Sequence, residues 1–147
     1  MSLEENKAFI RSLFEVLNKH NPDLLDKFYA PNYVNHTLQL QGLESLKQFE
    51  SMIYNASADW KETIEDIIAE GNKVWVRYKI TGTHTGEFYG LPPTGKSITF
   101  SSISIYRIAD GKLVEGWTVS DDLNLLTQLG VINYTEKGKK FFPEDIM

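Results

Sequence analysis

The chain has 147 residues, 41% hydrophobic and 24% charged, with a net charge of −5 and no cysteine. These figures suit one globular domain with one core, and they exclude disulfides and thiolate metal sites. Acidic balance without a basic patch argues against a nucleic-acid partner.

Ser2 and Glu5 have capping-box spacing, and Ile10, Leu13, Phe14 and Leu17 follow at helical spacing. Residues 3–19 therefore read as an amphipathic helix. Asn21-Pro22 opens a second, short helix through Leu24, Leu25, Phe28 and Tyr29, which Pro31 stops. Residues 32–38 read as irregular, with a brief strand. Gly42 precedes a third helix carrying Leu43, Leu46, Phe49 and Ile53 on one stripe.

Strands follow. Residues 60–69 resemble one, although Ile64, Ile67 and Ile68 leave its period ambiguous, and the alternating charges from Lys61 to Asp66 read as a solvated face. Val74, Val76, Tyr78 and Ile80 alternate with Trp75, Arg77, Lys79 and Thr81 as a half-buried strand. Residues 86–95 form a Gly- and Pro-rich loop, a rim or lid. In 96–108 the apolar face moves from Ile98 and Phe100 to Ile103 and Ile105, which predicts a bulge or bend. Ala109-Asp110-Gly111 turns the chain into a strand from Lys112, and Leu123, Leu126 and Leu129 form a last short helix ending at Gly130. The tail, 132–147, is weakly patterned, with Phe141 and Phe142 expected to dock, on a partner subunit or elsewhere.

Helices first and long antiparallel strands after predict an α+β domain spanning 1–147, its core about 3–131, with a curved sheet on the helices. Such a sheet leaves a concave space suited to a ligand. No apolar run approaches the roughly 20 residues that cross a bilayer, and the start lacks the features of a signal peptide. No membrane association and a cytoplasmic location are the expectation.

Four segments carry a resemblance: YVNH at 33–36, THTGEFYGLPPTGK at 83–96, ISIYRIADGKLVEGW at 103–117 and DDLNLLTQLG at 121–130. In this order they resemble the SnoaL-like polyketide cyclases (ester cyclases) of the NTF2-like superfamily. The resemblance implies a cone-shaped α+β barrel: a strongly curved, mostly antiparallel sheet around N-terminal helices, a deep apolar pocket, and a homo-oligomer, dimer or tetramer. It implies ring closure by intramolecular aldol condensation on a methyl ester, with neither metal nor organic cofactor. Asn124 departs from the family, where a glycine is common.

Asp121 stands four residues after Trp117, where the resemblance implies the acid/base. Counting by twos also places it on one strand face with Leu113, Trp117 and Val119. The other reading is a helix cap, a job that Asp122, facing the opposite way, could also take. His36 reads as a proton shuttle or substrate donor, or as a histidine satisfied locally. His84 ends the buried face of the Val74–Ile80 strand, as a core, rim or substrate contact. Trp117, Trp60, Tyr78, Phe100 and Phe49 are candidates for the pocket wall, or plain core. Three scattered histidines make no metal site. The expected function is cofactor-independent acid/base chemistry on an apolar, carbonyl-bearing small molecule. The alternatives are a non-catalytic binder of a hydrophobic ligand, and a hydrolase or isomerase on the same fold.

Overall fold

The computed structural model describes residues 2–142; Met1 and the last five positions of the tail lie outside the described residues. Helix α1 (Leu3–Leu17) begins as the capping box requires, with the Glu5 N–H donating to Ser2 Oγ at 3.1 Å. Its stripe of Ile10, Leu13, Phe14 and Leu17 is buried. Proline at the first position then starts a 3-10 turn, Pro22–Lys27. Strand β1 (Tyr29–Asn35) and the short β2 (Leu40–Gln41) lead to α2 (Leu43–Ala56).

Four long strands follow, β3 (Lys61–Glu70), β4 (Lys73–Thr83), β5 (Ser97–Ala109) and β6 (Lys112–Ser120), and then α3 (Asp122–Gln128). They join β1 and β2 in one six-stranded sheet, ordered β2-β1-β6-β5-β4-β3. Every pairing is antiparallel except β1 with β6. Asp110 and Gly111, both at positive φ (52° and 75°), make the tight β5–β6 turn. The core fills the concave side, where Phe14 of α1 meets Tyr78 of β4 edge-on at 4.9 Å.

Two bulges set the strand faces. In β3, Ile64 pairs with Tyr78 but Asp66 pairs with Arg77, so Glu65 is an extra residue. Glu62 and Ile64 precede the slip and Ile67 and Ala69 follow it on the same half-buried face, which resolves the ambiguous period. In β6, Arg107 pairs with Glu115 but Ile108 with Leu113, so Val114 is extra. A bulge bends its strand and moves the following side chains to the other face.

The bulge predicted inside β5 is absent. Its register with β4 runs unbroken from Thr83↔Ser97 to Lys73↔Arg107. Ile98, Phe100, Ser102, Ser104, Tyr106 and Ile108 all face inward. The two buried serines hid that periodicity, and Ile103 and Ile105 belong to the outer face. In the tail, Phe142 stacks on Tyr134 at 4.6 Å, whereas Phe141 is exposed.

Candidate functional site

The inner face of the sheet, α2, α3 and the loop after β4 line a partly open cavity of about 720 Å³. Phe49, Trp60, Tyr78 and Phe100, four of the expected wall residues, line it. A more open recess of about 820 Å³, between Pro22, Lys47 and Glu87, lies outside the barrel and is of mixed polarity.

Three expected residues, Asp121, His36 and Trp117, lie elsewhere, and the first two are each replaced in the cavity by a neighbour. After the bulge at Val114, the inward positions of β6 are Gly116, Thr118 and Ser120 rather than Glu115 and Trp117. Asp121 thereby falls to the α3 N-cap, where its side chain accepts the Asn124 N–H at 3.2 Å. Asp122 lines the cavity instead. Loss of solvation, and then the adjacent Asp121 charge, raise its pKa above the usual aspartate value.

Trp117 stands on the outer face, with Lys73 Nζ 5.4 Å from its ring centre. His36 stacks on it at 5.1 Å and bonds Glu115 Oε2 through Nε2 at 2.7 Å. Arg107 Nε donates to the other oxygen of Glu115 at 2.6 Å. Hydrogen bonds from His36 and Arg107 hold the Glu115 carboxylate below its ordinary pKa. This half-buried triad occupies His36 outside the cavity. Its neighbour Asn35 faces inward, with Nδ2 donating to Thr118 Oγ1 at 3.1 Å. Asn35 Oδ1 accepts the Thr37 and Leu38 N–H groups at 3.1 and 2.9 Å, which locks the amide's orientation.

From Asn35 a row of hydrogen bonds follows the cavity wall. Thr118 Oγ1 lies 3.0 Å from Ser104 Oγ, and Ser104 Oγ lies 2.9 Å from the Tyr78 hydroxyl. Ser102 donates to Tyr78 at 3.1 Å and sits 2.7 Å from Ser120 Oγ. Thr118, Tyr78 and Ser120 reach the cavity, and the two serines of β5 orient them from behind. Burial pushes the Tyr78 phenol far up, so it remains a protonated donor.

Two more carboxyls, Glu50 of α2 and Glu62 of β3, line the cavity. Glu62 accepts from Trp60 Nε1–H at 3.4 Å. Removal from solvent raises both pKa values, and at Glu50 the nearby Glu62 raises it further. Two such carboxyls resist being charged together. Sequence reading missed both, although signals existed. Leu43, Leu46, Glu50 and Ile53 keep a core spacing of three, four and three, with Glu50 the one polar member. Glu62 keeps step by twos with Trp60 and Ile64. No lysine, arginine or histidine is among the described residues lining the cavity.

His84 is 3% exposed and borders a separate chamber of about 20 Å³ beside the cavity. No cluster of metal-ligating side chains occurs among the described residues, and no helix among them is long and apolar enough to cross a membrane.

A family model described as SnoaL-like polyketide cyclase matches residues 7–129. The chain belongs to the SnoaL-like polyketide cyclase family. The aklanonic acid methyl ester cyclase DauD of Streptomyces sp. strain C5 is 30% identical over 128 residues, covering 82% of this chain and 79% of DauD. Among solved structures, AclR of Streptomyces galilaeus, a candidate hydroxylase, superposes with a TM-score of 0.83 at 28% identity, over 92% of this chain and 87% of AclR. IdmH of Streptomyces antibioticus, a candidate polyketide cyclase, reaches 0.74 at 30% identity, over 85% and 98%. The curved α+β fold of this SnoaL-like chain is that of its structural neighbours. Their differing reaction names illustrate how one scaffold carries several chemistries.

Proposed function

We propose that this SnoaL-like chain closes a ring by intramolecular aldol condensation on an apolar, carbonyl-bearing molecule, without a cofactor. The observation that carries the reading is the aromatic cavity with the Asp122 carboxyl at its solvent-exposed rim. In this reading Asp122 takes the proton from the carbon beside a carbonyl. The electron pair passes to the enolate and adds to a second carbonyl carbon, and the proton returns to the new alkoxide oxygen. No electrons are gained or lost. A base near its working pKa suits this task. Thr118 and Tyr78 supply hydrogen bonds to the enolate oxygen, and such preorganised donors act most strongly where charge develops.

The test supplies the purified protein with aklanonic acid methyl ester, the compound named for its relative DauD. Cyclised product from the wild type, lost in Asp122→Asn and kept in Asp121→Asn, is the expected result. Loss confined to Asp121→Asn would return the chemistry to the position that the family resemblance implies. One observation favours a second reading, a non-catalytic binder of a hydrophobic ligand: the family's acid position is engaged as a helix cap. Tight binding without conversion in the same assay selects it.

The reading extends to a homodimer formed through the outer sheet face and to a cytoplasmic setting. Ile68, Trp75, Ile105 and Trp117 pair in one row across β3, β4, β5 and β6. Ile103 and Val119 extend the apolar surface, at 47% and 68% exposure. Charges of both signs border it, in Arg77 with Glu65 and Arg107 with Glu115. A second copy, related by a two-fold axis, meets such a face with its own apolar row.

A further inference from the structure

His84 has a hydrogen-bonding state that geometry decides. Its backbone pins the base of the loop after β4, because His84 N–H donates to Lys96 and Gly95 N–H donates to His84, both at 2.9 Å. The ring is pinned too. The Thr94 N–H donates to Nδ1 at 3.2 Å, and the Thr94 hydroxyl lies 2.9 Å from the same atom. A backbone N–H can only donate, so Nδ1 carries no proton. The ring is neutral and its proton sits on Nε2.

That Nε2–H is buried and has no partner among the described residues. Native proteins rarely leave a buried donor unmet, because it forfeits its bond to water. The chamber that His84 borders, about 20 Å³, has room for about one oxygen atom. Its other walls are apolar except at Ser57, whose hydroxyl donates to Asp59 Oδ1 at 3.1 Å. Ile53, Trp60, Phe88 and Leu125 border both the chamber and the main cavity. Phe88 rides on the loop that His84 fastens.

We propose that His84 Nε2–H anchors an uncharged acceptor oxygen, a ketone or ester carbonyl, of the molecule held in the cavity, presented between Trp60 and Phe88. This rests on the cavity being the ligand site, as proposed above. The neutral ring offers one donor and no charge, and the adjoining cavity holds three carboxyls and no cation among its described lining. A ligand carboxylate would therefore meet repulsion there. Selection falls on neutral carbonyls.

The probes are 9-fluorenone and fluorene, one ring skeleton with and without a carbonyl. Binding is followed by Trp fluorescence, and the Nε2–H resonance by nitrogen-15 imidazole NMR. Fluorenone is expected to bind about tenfold tighter than fluorene, the yield of one net hydrogen bond, and only fluorenone should move the Nε2–H signal downfield. His84→Leu should erase the preference without weakening fluorene, and His84→Gln, which keeps an N–H, should restore part of it. Equal binding of the two with an unmoved Nε2–H signal would overturn the anchor alone. Failure of both to bind would overturn the anchor together with the cavity reading. If His84→Leu does not fold, the wild-type NMR titration decides by itself.

Discussion

Asp121 and Asp122 are adjacent and turn opposite ways: one carboxylate accepts the Asn124 N–H at 3.2 Å as a helix cap, the other lines the cavity. The two positions therefore answer differently to substitution. Asp122→Asn is expected to lower turnover by about 10²- to 10⁴-fold, the usual contribution of a positioned acid/base, with little change in ligand affinity. Asp121→Asn keeps a good cap, whereas Asp121→Ala should cost about 1 kcal/mol of stability. Steady-state kinetics and urea unfolding of the three variants check this.

Glu50 and Glu62 make stability depend on pH with a definite sign. Their folded pKa values are raised above the ordinary 4.5. As pH rises past that value the unfolded chain releases protons that the folded chain still holds. Stability therefore falls with rising pH, from about 4.5 up into the neutral range. Glu62→Gln removes Glu62's share of this penalty and the charge that raises Glu50 further. We expect its Tm to exceed the wild type's at pH 8, by a few degrees, and the gap to close toward pH 4.5. Thermal melts across that range would reject the idea if the gap were independent of pH.

Gly116 keeps room for Tyr33. A Cβ at that position would stand 2.1 Å from the Tyr33 hydroxyl oxygen and 3.1 Å from the carbon bearing it. Gly116→Ala should destabilise the fold by roughly 1–3 kcal/mol, as overpacking does. Adding Tyr33→Phe removes the closest atom and should recover part of the loss. Denaturant unfolding of the two single variants and the double variant measures the coupling.

Ile103 lies on the outer face, away from the cavity. Ile103→Lys places a charge within the proposed dimer contact and should yield a monomer in sedimentation velocity, with the fold intact by circular dichroism. A wild type that is already monomeric at high micromolar concentration, or a dimer that survives the substitution, counts against that face.

Ser104 supports Tyr78 and Thr118 from behind the cavity wall. Ser104→Ala leaves the Tyr78 hydroxyl with Ser102 as its remaining partner in the row. The expected cost is about 1–2 kcal/mol of stability, with a fall in kcat larger than any rise in KM. A change in KM alone would assign the row to binding rather than to the enolate.

The order of elements, the capped first helix, the β5–β6 turn, the inward face of β4 and four cavity-wall aromatics are legible in the residues alone. Each follows from local chemistry: a capping pair, a left-handed turn at Asp110-Gly111, or a period of two or 3.6 residues. Tertiary structure decided which member of each neighbouring pair reaches the cavity, Asn35 rather than His36 and Asp122 rather than Asp121. For the aspartates, one extra residue at Val114 turns the rest of β6 over, and that bulge exists only in the pairing with β5. Glu50, Glu62 and the orphan proton of His84 have the same origin. Burial and partners are properties of the assembled barrel, where segments distant in the chain together remove a polar group from water.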